Sequence, residues 1–125
     1  MLESLVQALA SDLELDQPLE KDAEGCFWLE LTPEQRISFR ETSQGILLKA
    51  RIAPYPTTKQ EETLTHLMKA NFLGQGTGDA VIGVDETGKF LTLCHALTYD
   101  MNYALFKQAL EQFANYLDTW QGLTK

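Results

Sequence analysis

Residues 70–103 read ANFLGQGTGDAVIGVDETGKFLTLCHALTYDMNY. This is the end of one helix, a glycine loop, a two-strand hairpin and the start of another helix. The loop Gly74-Gln75-Gly76-Thr77-Gly78 raises the question of a nucleotide site. A phosphate loop follows a strand and opens a helix, so that backbone N–H groups and the helix N-terminus meet the anion together. Here the helix comes first and the strand afterwards, and no Lys follows the loop, so no Walker motif is present. The glycines read instead as a helix stop, at Gly74, and a flexible entry to the next strand. Beyond them Ala80–Val84 and Phe90–Leu97 are strands. Asp85-Glu86-Thr87-Gly88 joins them, with a glycine available for positive φ.

Upstream, Cys26–Leu31 predicts a strand with Phe27, Leu29 and Leu31 on one face and Cys26, Trp28 and Glu30 on the other. Pro33 breaks it. Arg36–Glu41 alternates, with Ile37 and Phe39 inward and Arg36, Ser38 and Arg40 outward. Thr42-Ser43-Gln44-Gly45 is a turn. In Ile46–Ile52 the residues Ile46, Leu48, Ala50 and Ile52 face the core, while Leu47, Lys49 and Arg51 face out. Short connections between three strands predict an antiparallel meander. Pro54 and Pro56 end it. Thr58 with Glu61 forms a capping-box pattern, so a helix begins near Lys59 with Leu64, Leu67, Met68 and Phe72 as its stripe.

At the N-terminus Leu2, Leu5, Val6, Leu9 and Leu13 fall at helical spacing, closed before Pro18. Acidic residues dominate from Glu14 to Glu24, a solvated connection. At the other end Asp100 or Asn102 caps a last helix. Its stripe, Phe106, Leu110, Phe113, Leu117 and Trp120, steps by four and three, with Gly122 as its stop. The order is α-β-β-β-α-β-β-α. The fold class is α+β, one domain over residues 1–125 with helices packed on an antiparallel sheet.

A chain of 125 residues suits one domain. At this size roughly two thirds of the unfolded surface is buried, enough for a core without staples. The apolar share of 44% is ordinary for a globular protein. Eighteen acidic against ten basic residues give a formal charge of -8. That balance disfavours nucleic acid, whose affinity rests on Lys and Arg neutralising phosphates. It equally disfavours anionic lipid. No stretch reaches the ~20 apolar residues of a membrane span. The N-terminal MLESLVQALASDLELD lacks a basic leader region, so a cytoplasmic location is expected.

Candidate chemistry is thin. Cys26 and Cys94 lie in strand-like runs at no metal spacing and read as thiols in a reducing compartment. Cys94 and His95 are adjacent on a strand and point to opposite faces, so they cannot form a nucleophile–base pair. His66 sits mid-helix without a second ligand at four-residue spacing. Glu61-Glu62 opens a helix, where acids favour the dipole, and Asp85-Glu86 occupies a turn. No catalytic residue, metal or cofactor is expected. Trp28 and Leu47 remain, apolar on faces opposite the core sets. Such residues are most often covered by another helix; the alternative is an exposed patch that takes a partner.

The element order, the run LMKANFLGQGTGDAVIGVDETGKFLTLCHAL and the aromatic last helix YALFKQALEQFANYLDTW resemble the type III secretion chaperones of the Tir chaperone family. The resemblance covers nearly the whole chain. It implies a homodimer in the bacterial cytoplasm that binds the N-terminal region of a secreted effector or gatekeeper protein. The segment is kept extended, soluble and ready for export, without ATP hydrolysis. It further implies a two-fold seam from the second helix and the following strand, here Leu64, Leu67, Met68, Asn71 and Phe72 with Val81 and Ile82. The partner segment would wrap the first helix and the sheet, touching Leu2, Leu5, Val6, Trp28, Phe39 and Leu47. Some relatives pair with a different chaperone subunit, so a heterodimer stays open. Two other classes compete: a regulatory adaptor subunit that binds a folded partner, and a small enzyme with a Cys94 nucleophile.

Overall fold

Strict alternation in the central strands builds a sheet with one apolar and one polar face. The computed structural model describes residues 2–15, 19–72, 80–98 and 101–123. In chain order the elements are α1 (Leu2–Asp12), β1 (Phe27–Thr32), β2 (Gln35–Thr42), β3 (Gly45–Pro54), α2 (Gln60–Asn71), β4 (Val81–Val84), β5 (Phe90–Thr98) and α3 (Tyr103–Leu123). The strands form one antiparallel sheet in the order β1-β2-β3-β5-β4. The first three are the expected meander. After α2 the chain returns to the far edge as β4 and folds back as β5, which pairs with both β4 and β3.

Register places Leu29, Ile37, Ala50, Leu93 and Ile82 in one row across all five strands. Every member of that row is buried. Onto this face packs α3, whose Phe106, Leu110, Phe113, Leu117 and Trp120 are all buried. Phe106 meets Phe39 edge to face, with centroids 5.8 Å apart. Each fully buried side chain of this size contributes roughly 1.5–3 kcal/mol, so this stripe is the main seam of the domain. Beside α3 lies α1, with Leu2, Leu5, Val6 and Leu9 buried. Two polar ties fix α1: the Leu2 N–H donates to Glu41 Oε1 at 3.2 Å, and Asp12 Oδ2 accepts from Lys107 Nζ at 2.6 Å and from Tyr103 Oη at 2.8 Å.

Two glycines meet specific demands. A Cβ on Gly45 would lie 1.8 Å from the Leu97 carbonyl oxygen, so the β2–β3 turn passes too close to β5 for any side chain. Gly88 has φ +73 in the β4–β5 turn, where Asp85 Oδ1 accepts from the Thr87 hydroxyl and from the N–H groups of Lys89 and Phe90. Asn102 caps α3 through the Leu105 N–H at 2.9 Å; Asp100 lies outside the described residues, as does the loop from Gly74 to Gly78.

Several expectations are corrected. Leu31 is 44% exposed, because the β1–β2 register slips between Glu30 and Thr32 and turns it off the inner face. Leu13 is exposed, since α1 closes at Asp12 through a left-handed Glu14 (φ 54). The Thr58–Glu61 capping box does not form. Lys59, itself left-handed at φ 53, is the N-cap of α2 and makes no side-chain cap bond. Gln60 Nε2 instead donates to the Pro56 carbonyl at 2.8 Å. Gly122 does not stop α3, which runs to Leu123. Its last turn is held by buried Gln121, whose Nε2 donates to the Glu34 carbonyl at 2.7 Å and to that of Arg51 at 3.3 Å.

Candidate functional site

Among the described residues, six of the nine large apolar side chains left in solvent stand at the two opposite edges of the sheet; the other three are Leu13 and Leu15, just after α1, and Leu105 on α3. At the β4 edge stand Met68 (72% exposed), Phe72 (63%), Val81 (56%) and Val84 (46%). Met68 and Phe72 are four residues apart and share one face where α2 ends. The other residues expected in a seam play different parts. Leu67 and Ile82 are buried in this chain's own core and Leu64 is half-buried against it. Asn71 is a bracket: its Nδ2 donates to the Ile82 carbonyl and its Oδ1 accepts the Ile82 N–H, both at 2.8 Å. An edge strand offers unpaired backbone groups to any passing strand. Asn71 occupies that pair at the middle of β4 and ties α2 to it.

At the β1 edge the acidic connection organises Trp28. Asp22 Oδ1 accepts the N–H groups of Glu24 and Cys26, each at 2.9 Å, and its Oδ2 accepts from Trp28 Nε1 at 2.7 Å. The indole bond, then the backbone bond from Cys26, holds the Asp22 carboxyl below the ordinary carboxylate range. Arg36 lies 5.1 Å from the Trp28 ring centroid. The ring is thus positioned while still 40% exposed, with Leu31 nearby on the same strand.

Of the six residues expected to touch a partner segment, four belong to the core. Leu2, Leu5, Val6 and Phe39 are at most 6% exposed, because they are on the faces that α1 and β2 turn into the shared core. Trp28 and half-buried Leu47 sit on the outer face of the sheet. The expected covering helix is not there among the described residues, since α1 and α3 both pack on the inner face. Between the strands and their end turns that face forms a trough of about 770 Å³, lined among others by Trp28, Arg36, Arg40, Leu47, Lys49 and Arg51. Sequence reasoning placed these cations outward but did not join them into one surface. The alternation that located each of them, carried across the strand register, is the signal that does so.

The thiols offer little chemistry. Cys94 stands opposite Lys49 and His95 opposite Leu48, on different faces of the sheet. Burial, then the Asp22 carboxylate, pushes the Cys26 thiol up, away from the thiolate a nucleophile needs. His66 contacts the Trp120 ring edge to face at 5.4 Å, a packing role that joins α2 to α3. Among the described residues no helix is long and apolar enough to cross a membrane.

This architecture recurs in known proteins. A Chlamydia pneumoniae protein is 26% identical over 122 residues, covering 96% of this chain and 93% of its own length. A chain of the ExsC–ExsE complex superimposes with a TM-score of 0.78 at 17% identity, over 98% of this chain and 92% of that one. The Yersinia pestis type III secretion chaperone SycH, crystallised with a stable fragment of YscM2, gives a TM-score of 0.72 at 15% identity, over 96% and 99%. Those likenesses show a shared fold. The sequence pattern of the Tir chaperone protein (CesT) family matches residues 4–121, nearly the whole chain. The chain therefore belongs to the Tir chaperone protein (CesT) family.

Proposed function

We propose that this chaperone works as a cytoplasmic homodimer that holds the N-terminal segment of a secreted effector or gatekeeper protein extended and export-competent, by binding alone and without ATP hydrolysis. The observation that carries the reading is the division of exposed apolar surface between opposite sheet edges. Met68, Phe72, Val81 and Val84 stand at the β4 edge, and Trp28 and Leu31 at the β1 edge. Exposed apolar clusters mark interaction sites. The β4 corner suits a second copy, because Met68 and Phe72 would otherwise stand in water. The β1 edge suits the client, because an extended segment can add to a free strand while Trp28 and Leu31 provide side-chain contacts. SycH, which shares the fold, was crystallised with a stable fragment of YscM2, which supports the binding of a protein partner.

The test has two parts. Met68→Glu and Phe72→Glu each place a charge at the proposed seam without touching the core. Light scattering is expected to find monomer for both, and a dimer that persists in both removes the seam. Leu67 is unsuited to this test, because a charge at a buried position unfolds the chain. The second part is co-purification from the native cytoplasm, with mass spectrometry and hydrogen exchange on the bound protein. Protection confined to the N-terminal region of a secreted protein is expected. A partner that is already folded when free, as a regulatory adaptor would bind, overturns the client reading.

A further inference from the structure

The outer face of the sheet carries a regular ladder of positive charge on an otherwise acidic chain. Three successive rows cross β2 and β3. In the first, Arg40 stands opposite Leu47; in the second, Ser38 opposite Lys49, flanked by Trp28 and Cys94; in the third, Arg36 on β2 and Arg51 on β3 lie beyond them. Each row therefore presents a cation at its centre. Rows are two residues apart, about 6.7 Å along the strand. The four cations are among only ten Lys and Arg residues in a chain of formal charge -8. Among the described residues none of them makes an ion pair. Two are positioned by aromatic rings instead: Arg36 against Trp28, and Arg51 against Phe90 at 4.2 Å. Beneath them Ser38 and Thr92 are buried and donate to backbone carbonyls of Lys49 and Gly83.

The acids of the trough lie at its ends. Glu24 comes from the turn before β1, Glu34 from the β1–β2 turn, and Asp85 and Glu86 from the β4–β5 turn; Glu30 on β1 stands opposite Arg36. A long polyanion would meet these carboxylates on either side, and the overall charge opposes it. A short extended protein segment need not. In such a segment alternate side chains point the same way with a spacing of about 6.7 Å, the pitch of the cation ladder.

We propose that the outer face of β2 and β3 recognises an extended protein segment with Asp or Glu at alternate positions, seated over Arg40, Lys49 and the Arg36–Arg51 pair. This rests on the client-binding reading and goes beyond it: a stretch of the client next to the part that adds to the β1 edge crosses the outer face, where the ladder selects by the spacing of its acids. The β4 seam lies at the far edge of the sheet and leaves the ladder clear.

The probe is a labelled synthetic peptide with Glu at every second position, compared by fluorescence anisotropy with a peptide of the same composition whose Glu residues form one block. The native protein is expected to favour the alternating peptide by about tenfold, the sum of a few weak surface pairs, and to lose the preference as salt rises. The double variant Arg36→Ser/Arg51→Ser, and separately Arg40→Ser, replace exposed side chains and are expected to erode it. Equal binding of the two peptides overturns the proposal, as does a preference that survives in both variants. So does competition by inorganic polyphosphate as effective as the alternating peptide. Co-purification of the native client with the double variant separates the two readings: a client retained in full leaves the chaperone reading standing and removes the ladder.

Discussion

Asp22 and Trp28 show how one carboxylate can set up a binding edge. Asp22 turns the acidic connection into a short built loop and fixes an exposed indole in one place. The charge state of Asp22 should therefore be readable at Trp28. Its carboxyl is lowered in the folded chain, so the ionised form favours folding. That contribution is present above the unfolded Asp value, about 3.9, and is lost as pH falls through the lower folded value. The Trp28 indole N–H signal in NMR is expected to shift with a midpoint below the ordinary Asp value, and Asp22→Asn should abolish the shift. A midpoint at or above the ordinary value would contradict the bond. In the sequence, Trp28 was legible as an outward residue by alternation, whereas Asp22 was one acid among several. Only the fold of residues 22–28 singles it out.

The second helix and the fourth strand depend on each other. Alone, β4 is a four-residue edge strand, too short for independent stability. Asn71 takes both outward backbone groups of Ile82, and so joins α2 to the sheet and blunts the edge at that point. Asn71→Ala leaves a partly buried donor and acceptor unpaired, which costs about 1–3 kcal/mol. Urea unfolding should show a lower midpoint at nearly unchanged slope, and a wild-type midpoint would remove the bracket. The resemblance implied Asn71 as a seam residue; its hydrogen bonds also give it work inside its own chain. No local pattern reveals this, because the bonded groups are eleven residues apart across the glycine loop. The helix stripe likewise divided in a way spacing alone could not decide: Leu67 went to the core, while Met68 and Phe72 stayed in water.

For the whole molecule, the sheet is covered on one face by α1 and α3, and its edges differ. The proposed dimer has a thermodynamic signature. Association that favours the folded state makes the unfolding temperature rise with protein concentration. Melting at a series of concentrations is expected to show that rise for the native chain and to lose it in Phe72→Glu. A melting temperature independent of concentration in the native chain would argue for a monomer.

Local rules in the sequence determined the element order, the inward set of each central strand and the stripe of α3, because periods of two and 3.6 residues are properties of the backbone itself. They also ruled out the glycine stretch in residues 70–103 as a phosphate loop, since that reading fails on element order alone. Tertiary structure decided which apolar residues are core and which are surface. Leu2, Leu5, Val6 and Phe39 lie in the core shared by α1, α3 and the sheet, whereas Met68, Phe72, Val81 and Trp28 lie at the edges. A helix or strand shows in its sequence which face is apolar, but what covers that face depends on segments distant in the chain. Here α3 comes back over the strands of the first half and conceals one apolar face, leaving the other exposed residues as candidates for the work of the protein.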